Sequence, residues 1–320
     1  MTDAFSPDFE IRSPKRDEAQ AIAELIAAYS RVVLGEVVFD LANVLGDWET
    51  PGFDLNRDAR VVAIPDGSLV DYEIVYQVQS NGLISTDGYV HPNHVGQGIG
   101  THLLQWAEAR AREHVPEFEP DLNVSLKAGF SSNDEFAYLL LESMGYRAVR
   151  HYWNMVIEMT ETPAKPAWPD GITIRSFNLE HDNHQVWSVV SEAFREHWGM
   201  APISFEQWVA NETEEIEPTL SFLAIAGDEV AGLSLCKFHM DNGKILWLGV
   251  RPQWRKLGLG MALLKRSFAE FYHRGKTKVE LRVDAQNLTG ATRLYERAGM
   301  RVTQRFDIYS KELRGGRVTW

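Results

Sequence analysis

A single cysteine, Cys236, stands in 320 residues, so an internal disulfide framework is excluded. No apolar run approaches the ~20 residues of a membrane-spanning helix. Residues Met1–Pro7 lack the basic-then-apolar order of a secretory signal. No membrane partner is expected, and a cytoplasmic location is. Basic charge is scarce in the first half: residues 1–160 hold 11 Lys+Arg against 25 Asp+Glu, a net −14. Residues 161–320 hold 21 against 20, a net +1. An acidic half repels polyanions, which argues against nucleic acid as a partner. The second half is the better host for an anionic ligand, with Arg255, Lys256, Lys265 and Arg266 crowding one loop. Singly, each of these reads as a solvated charge. With 44% hydrophobic and 24% charged residues, the chain is globular and long enough for two domains.

What is present is a phrase written twice. Val90-His91-Pro92-Asn93-His94-Val95-Gly96-Gln97-Gly98-Ile99-Gly100 returns 160 residues later as Val250-Arg251-Pro252-Gln253-Trp254-Arg255-Lys256-Leu257-Gly258-Leu259-Gly260. Each copy reads as a strand end, a glycine loop and the first turn of a helix, a geometry that aims backbone N–H groups at an anion. Ile11-Arg12-Ser13 likewise recurs as Ile174-Arg175-Ser176, and Asn133, Ala137 and Gly145 share their spacing with Asn287, Ala291 and Gly299. The whole unit is therefore duplicated. The proline-rich stretch 161–171 reads as a linker, giving domains at 1–160 and 172–320. In the second domain the pattern predicts strands at Ile172–Phe177, Ser221–Ala226, Glu229–His239, Lys244–Val250 and Lys278–Val283. Helices are expected at Asp182–Phe194, Ser204–Asn211, Gly258–Arg274 and Thr289–Ala298, and a closing strand pair inside Arg301–Leu313. The fold class is α/β: a mixed, mostly antiparallel sheet flanked by helices, built once per half.

A glycine loop alone is a weak signal. The Walker loop is absent, and the third glycine of a dinucleotide fingerprint is Leu263 here. What fits is Val-x-Pro, then Arg-x-x-Gly-x-Gly, and downstream Asn-x-x-x-Ala-x-x-x-Tyr-x-x-x-Gly. On these residues the chain resembles a tandem member of the GCN5-related N-acetyltransferase (GNAT) superfamily, with a layout similar to mycothiol synthase. The resemblance implies acetyl-CoA as acyl donor, a small-molecule amine as acceptor, and no metal. It implies that the backbone around Arg255, Lys256, Leu257, Gly258, Leu259, Gly260 and Met261 holds the pyrophosphate. The strand Leu248-Gly249-Val250 would pair with the pantetheine arm and polarise the thioester, with Asn287 and Ala291 alongside. Tyr295 would protonate the departing thiolate. Singly, each glycine also reads as a tight turn or close packing, and Tyr295 as a half-buried helix tyrosine.

The first copy departs at two positions: Val95 stands for Arg255, and Leu141 for Tyr295. Its Val90, Gly96, Gly98 and Gly100 form a possible second acyl-CoA site, and the first domain is expected to be non-catalytic. A base must also take the ammonium proton. The strand Lys244–Val250 holds no carboxylate. Glu280 on the next strand is the candidate, with His239 and Asp241 nearby in sequence. Glu196, His197 and Trp198 are the expected acceptor pocket, or equally ordinary core. Three readings follow: an acyl-CoA-dependent N-acyltransferase, including acetylation of a cysteinyl amine as in mycothiol synthase; a non-catalytic acyl-CoA sensor; and a transferase using an acyl-tRNA or a carrier protein as donor, of which the acidic half opposes tRNA. Oligomeric state is not legible.

Overall fold

Strand pairing, not chain order, decides which residues share a core. The computed structural model describes residues 8–320 except Val38, Gln77 and Leu288. The first elements are β1 (Glu10–Arg12), α1 (Ala19–Val33), α2 (Leu41–Glu49), α3 (Leu55–Asp58), β2 (Ala59–Ala63), β3 (Leu69–Tyr76) and β4 (Leu83–Val90). Next come α4 (Ile99–His114), β5 (Val124–Ser131), α5 (Glu135–Ser143) and β6 (Arg147–Glu158). The series then repeats as β7 (Ile172–Ser176), α6 (Leu179–Ala193), α7 (Phe205–Asn211), β8 (Phe222–Ala226), β9 (Glu229–His239) and β10 (Asn242–Val250). It closes with α8 (Leu259–His273), β11 (Lys278–Asp284), α9 (Ala291–Arg297) and β12 (Arg301–Arg314).

One unit comprises the residues up to His151 together with Arg305–Trp320; the other is Tyr152–Gln304. Strand order is β1-β2-β3-β4-β5-β12 in the first and β6-β11-β10-β9-β8-β7 in the second. Each half thus lends its last strand to the other: β12 pairs antiparallel with β5 along Phe306–Arg314, and β6 with β11 along Tyr152–Glu158. The expected boundaries at 160 and 172 are displaced accordingly. The expected strand pair inside Arg301–Leu313 is one strand of 14 residues. The physical reason is the duplication itself. Two copies of one unit end in similar strands, and an edge accepts whichever strand offers the right register and apolar face. Tyr309 of β12 packs in the first core, Met155 of β6 in the second. Counted by unit, charge becomes 15 Lys+Arg against 26 Asp+Glu, −11, and 17 against 19, −2. The charge contrast between the halves shrinks.

Each unit has helices on both sheet faces. In the first, α1 and α2 pack Ile22, Ile26, Val44 and Trp48 on Tyr72 and Ile74 of β3. On the other face, α4 and α5 pack Leu104, Ala107 and Leu141 on Val75, Ile84 and Leu126. In the second, α6 and α7 bury Val186, Val190 and Trp208 against Leu233 and Leu235, while α8 and α9 bury Leu264, Phe268 and Tyr295 against Ile245, Leu281 and Val283. Alternation along the strands sends neighbours to opposite layers. The duplication extends to an ion pair: Arg12 forks onto Glu18 at 2.8 and 2.5 Å, and Arg175 onto Asp182 at 2.5 and 2.8 Å. The stretch expected as a linker is not free. Its Trp168 packs with Trp254 and Leu259, and Pro169–Ile172 wall a cavity of about 330 Å³ with Trp254, Leu257 and Leu259.

Candidate active site

Between β10 and α8 the chain makes a short 3-10 turn at Pro252–Trp254 and a loop whose backbone turns left-handed twice, at Lys256 (φ +65°) and Gly258 (φ +88°). The first copy follows the same path with Gly96 (φ +82°) and Gly98 (φ +77°). A lysine in that conformation costs roughly 1 kcal/mol, so the loop is held there by its surroundings. No side chain caps the N-terminus of α8 or of α4, whereas Asn178 caps α6 and Ser204 caps α7. Uncapped amides at the positive end of a helix dipole are a ready anion receptor. At Gly260 an added Cβ would stand 3.2 Å from Leu294 Cδ2; at Gly100 it would stand 3.1 Å from Leu140 Cδ2. These glycines let the cradle helix touch the next helix, and in the second unit that helix carries Tyr295.

A wedge opens beside the cradle. β10 pairs in parallel with β11 at Gly243–Val279 and Lys244–Glu280. A bulge between Ile245 and Trp247 shifts its register with β9. Beyond it, Leu248 and Gly249 have no β11 partner among the described residues, leaving strand backbone free to pair with an extended ligand. In the first unit β4 and β5 stay paired from Leu83–Ser125 to Thr86–Ala128, then part.

The side chains divide the predicted residues by role. Arg255 does not reach outward: its Nε donates to the Val250 carbonyl and Nη2 to the Ala193 carbonyl, both at 3.0 Å. It fastens the loop to the end of β10 and to α6. Arg251, on the same loop, contacts Ser188 and Glu192 of α6, each at 3.1 Å. Lys256 is exposed and has no ion pair among the described residues. Leu257 is 58% exposed, Leu259 is core and Met261 half-buried. Asn287 spends its side-chain carbonyl on the Thr289 N–H and hydroxyl, 2.8 and 2.5 Å away, fixing the turn into α9 that Ala291 opens. Tyr295 is buried in the α8–α9 core, and burial alone pushes its phenol well above the ordinary value. Its hydroxyl has no protein partner among the described residues.

On the opposite face, the end of α6 lies on Gly249, and Phe194 meets Trp247 edge-on at 5.0 Å. His197 lies here too, 6.0 Å from the Phe194 ring and 6.2 Å from Tyr152, its Nδ1 3.1 Å from the Trp198 carbonyl. Trp198 is half-buried and Glu196 exposed. Burial would raise the Glu280 carboxyl, but the His239 hydrogen bond at 2.8 Å and the Lys244 charge outweigh it and hold it low. That environment suits an ion pair better than a base. Glu212 directly follows α7. Burial, then the Glu215 charge, raises its carboxyl against a lowering hydrogen bond from Trp247. No spacing marks Glu212; only the packing of α7 brings it to Trp247. Asp87 of β4 holds the position of Trp247 in the first copy and accepts a hydrogen bond from Tyr76 at 2.7 Å. Here the 160-residue offset was the available signal.

A family model described as the Acetyltransferase (GNAT) family matches residues 44–127 and 183–300. The chain belongs to the GNAT acetyltransferase family. As a tandem GNAT protein it is an N-acetyltransferase, and its two matched segments carry the two cradles and wedges. A protein named mycothiol acetyltransferase in Saccharopolyspora erythraea is 29% identical over 244 residues, covering 74% of this chain and 80% of the relative. Another of that name in Streptomyces scabiei is 30% identical, covering 68% of each. The crystal structure of a GCN5-related N-acetyltransferase from Sphaerobacter thermophilus superposes with a TM-score of 0.86 at 36% identity over 99% of both chains. A tandem GNAT protein from the clavulanic acid biosynthesis pathway shares the fold, with a TM-score of 0.74 at 15% identity, over 97% of this chain and all of that one. No helix of this GNAT protein is long and apolar enough to cross a membrane among the described residues.

Proposed function

We propose that the second unit transfers an acetyl group from acetyl-CoA directly to a primary amine of a small molecule, as a cytoplasmic enzyme. The carrying observation is the conjunction of three features in one unit: an uncapped cradle, a strand that leaves its parallel neighbour at a bulge, and a buried tyrosine with an unengaged hydroxyl. The amides of Lys256–Met261 receive the pyrophosphate, and the free Lys256 ammonium adds charge. The exposed edge of Leu248–Val250 aligns the thioester. Tyr295 stays protonated at neutral pH, which is what a donor to the leaving thiolate requires. Glu212, with its raised carboxyl beside Trp247, replaces Glu280 as the group suited to take the amine proton. The similarity to mycothiol acetyltransferases favours a cysteinyl amine as acceptor.

Thiol release from acetyl-CoA across a panel of amines, cysteinyl conjugates included, tests this reading. At least one productive acceptor is expected. Tyr295→Phe should lower its turnover about 10²-fold with little change in acetyl-CoA affinity. Acetyl-CoA binding with no productive amine would instead favour a sensor without turnover.

A further inference from the structure

The first unit lacks a tyrosine at the Tyr295 position, but it holds another proton on the same sheet face. Glu73 of β3 lies directly across from Gly88 of β4. In the second unit the same pair is Ser234 opposite Leu248, where Ser234 binds Ser267 of α8 at 2.8 Å. A Cβ at Gly88 would collide with Glu73 Oε2. The carboxyl therefore lies against the backbone of Gly88, two residues beyond the last β4–β5 pair, where the first wedge opens. Gly88 is exposed while Glu73 is 5% exposed.

Burial and one hydrogen bond from Thr86 act on the Glu73 carboxyl in opposite directions. Thr86 Oγ1 is 2.5 Å from Glu73 Oε1 and 2.7 Å from the Ile74 carbonyl oxygen. A hydroxyl has one proton, and a carbonyl only accepts. The hydroxyl proton is thus shared between two acceptors, and its donation to Glu73 favours the ionised carboxyl. Burial outweighs that hydrogen bond and, with the Asp87 charge, raises Glu73 to about 8. The ionisable groups around it are Asp71 on its own strand, Asp87 on β4, and the buried Tyr146.

The other face of β4 is acidic and aromatic. Asp87 accepts from Tyr76, and Asp134 accepts from Tyr29 at 2.6 Å. Tyr29 meets Tyr89 edge-on at 5.4 Å. Burial and the Asp87 charge raise the Asp47 carboxyl to about 7. The largest charge acting on Asp47, Tyr76 and Tyr89 is the Asp87 carboxylate, and on Tyr29 it is that of Asp134. Such a surface attracts an alkylammonium group.

We infer that the first unit is a second acyl-transfer site, with Glu73 as proton donor and Asp87 as proton acceptor, for an alkylammonium substrate. The amine enters from the Asp87 face and loses one proton to bulk solvent. Its nitrogen then bonds to the thioester carbon, and its excess proton passes to the Asp87 carboxylate. The carbon–sulfur bond breaks with its electron pair on sulfur, and sulfur takes the Glu73 proton. Amide and free thiol leave; solvent moves the proton from Asp87 back to Glu73. The inference shares the acetyl donor with the proposed function but not its site.

The test uses full-length Tyr295→Phe, with putrescine and spermidine as acceptors. Residual thiol release is expected, and adding Glu73→Gln should lower it at least about tenfold. Gly88→Ala in the Tyr295→Phe background should do the same by displacing the intact carboxyl. Equal turnover with and without Glu73→Gln, or no residual turnover in Tyr295→Phe, overturns the second site. Residual turnover equal to wild type and abolished by Glu73→Gln supports the second site while overturning the role given to Tyr295. An infrared difference spectrum of wild type minus Glu73→Gln at neutral pH adds a readout without substrate. A carboxylic-acid carbonyl band is expected, and its absence overturns the inference.

Discussion

The two wedges of this tandem GNAT protein share their backbone and differ in where they keep a proton. In the second unit it sits on Tyr295, delivered by α9 and raised by burial. In the first, α5 offers Leu141, and the buried acids Asp71 and Glu73 come from β3, under α4. Opposite them the second unit has Gly232 and Ser234. Gly232 has no room for a side chain, since a Cβ there would lie 2.8 Å from the Gly249 carbonyl. Duplication preserved the loop backbone ahead of α4 and α8. It left free the side chains that set protonation, because several positions on one sheet face can reach the same wedge.

The largest test of this comparison concerns the exchanged strands. A fragment of residues 1–160 lacks the β12 segment that buries Ile308 and Tyr309. It should fail to show a cooperative thermal transition by circular dichroism, whereas residues 1–151 joined by a flexible linker to 305–320 should show one. A sharp transition in the 1–160 fragment would refute the strand assignment.

Next in size is a pH effect specific to the first unit. Burial raises Glu73 from 4.5 to about 8 and Asp71 well above its ordinary value. The folded unit therefore keeps protons that the unfolded chain releases. The stability this confers is complete below the unfolded values and is lost as pH rises through the folded ones. The opening free energy of β3 and α4, from hydrogen exchange corrected for the intrinsic pH dependence of amide exchange, should fall by a few kcal/mol between pH ~5 and ~8. Asp71→Asn should flatten the dependence, and α8 should lack it. A flat profile in the wild type would mean that both acids are ionised.

A smaller effect is expected at the loop. Lys256→Gly removes left-handed strain and should stabilise the second unit by about 1 kcal/mol. It should also weaken acetyl-CoA binding several-fold, more at low salt. Gly96→Lys should destabilise the first unit by a similar amount. Unchanged binding by calorimetry in Lys256→Gly would assign the anion site to backbone alone. The smallest effects belong to Gly260→Ala and Gly100→Ala, which crowd Leu294 and Leu140 alike. Their melting temperatures should fall equally, by a degree or two, roughly 0.5 kcal/mol.

Much of the cradle was legible because glycine placement reports backbone conformation. Gly96, Gly98 and Gly258 turned out left-handed, and Gly100 and Gly260 mark close helix contacts. Arg255 was legible as part of the loop but not as its fastener, since its partners are the carbonyls of Val250 and Ala193. Glu280 was misleading, because its strand neighbours His239 and Lys244 are invisible to spacing. Glu212, Asp71 and Glu73 carried no motif.

By itself the sequence determined a duplicated GNAT unit, its cradles and the asymmetry at Tyr295 and Leu141, all set by local spacing within a loop or helix. Only the tertiary structure decided which half owns β6 and β12, and which carboxyls keep their protons. Strand partnership depends on edges far apart in the chain. Protonation depends on burial and on the donors and acceptors that folding gathers around each group.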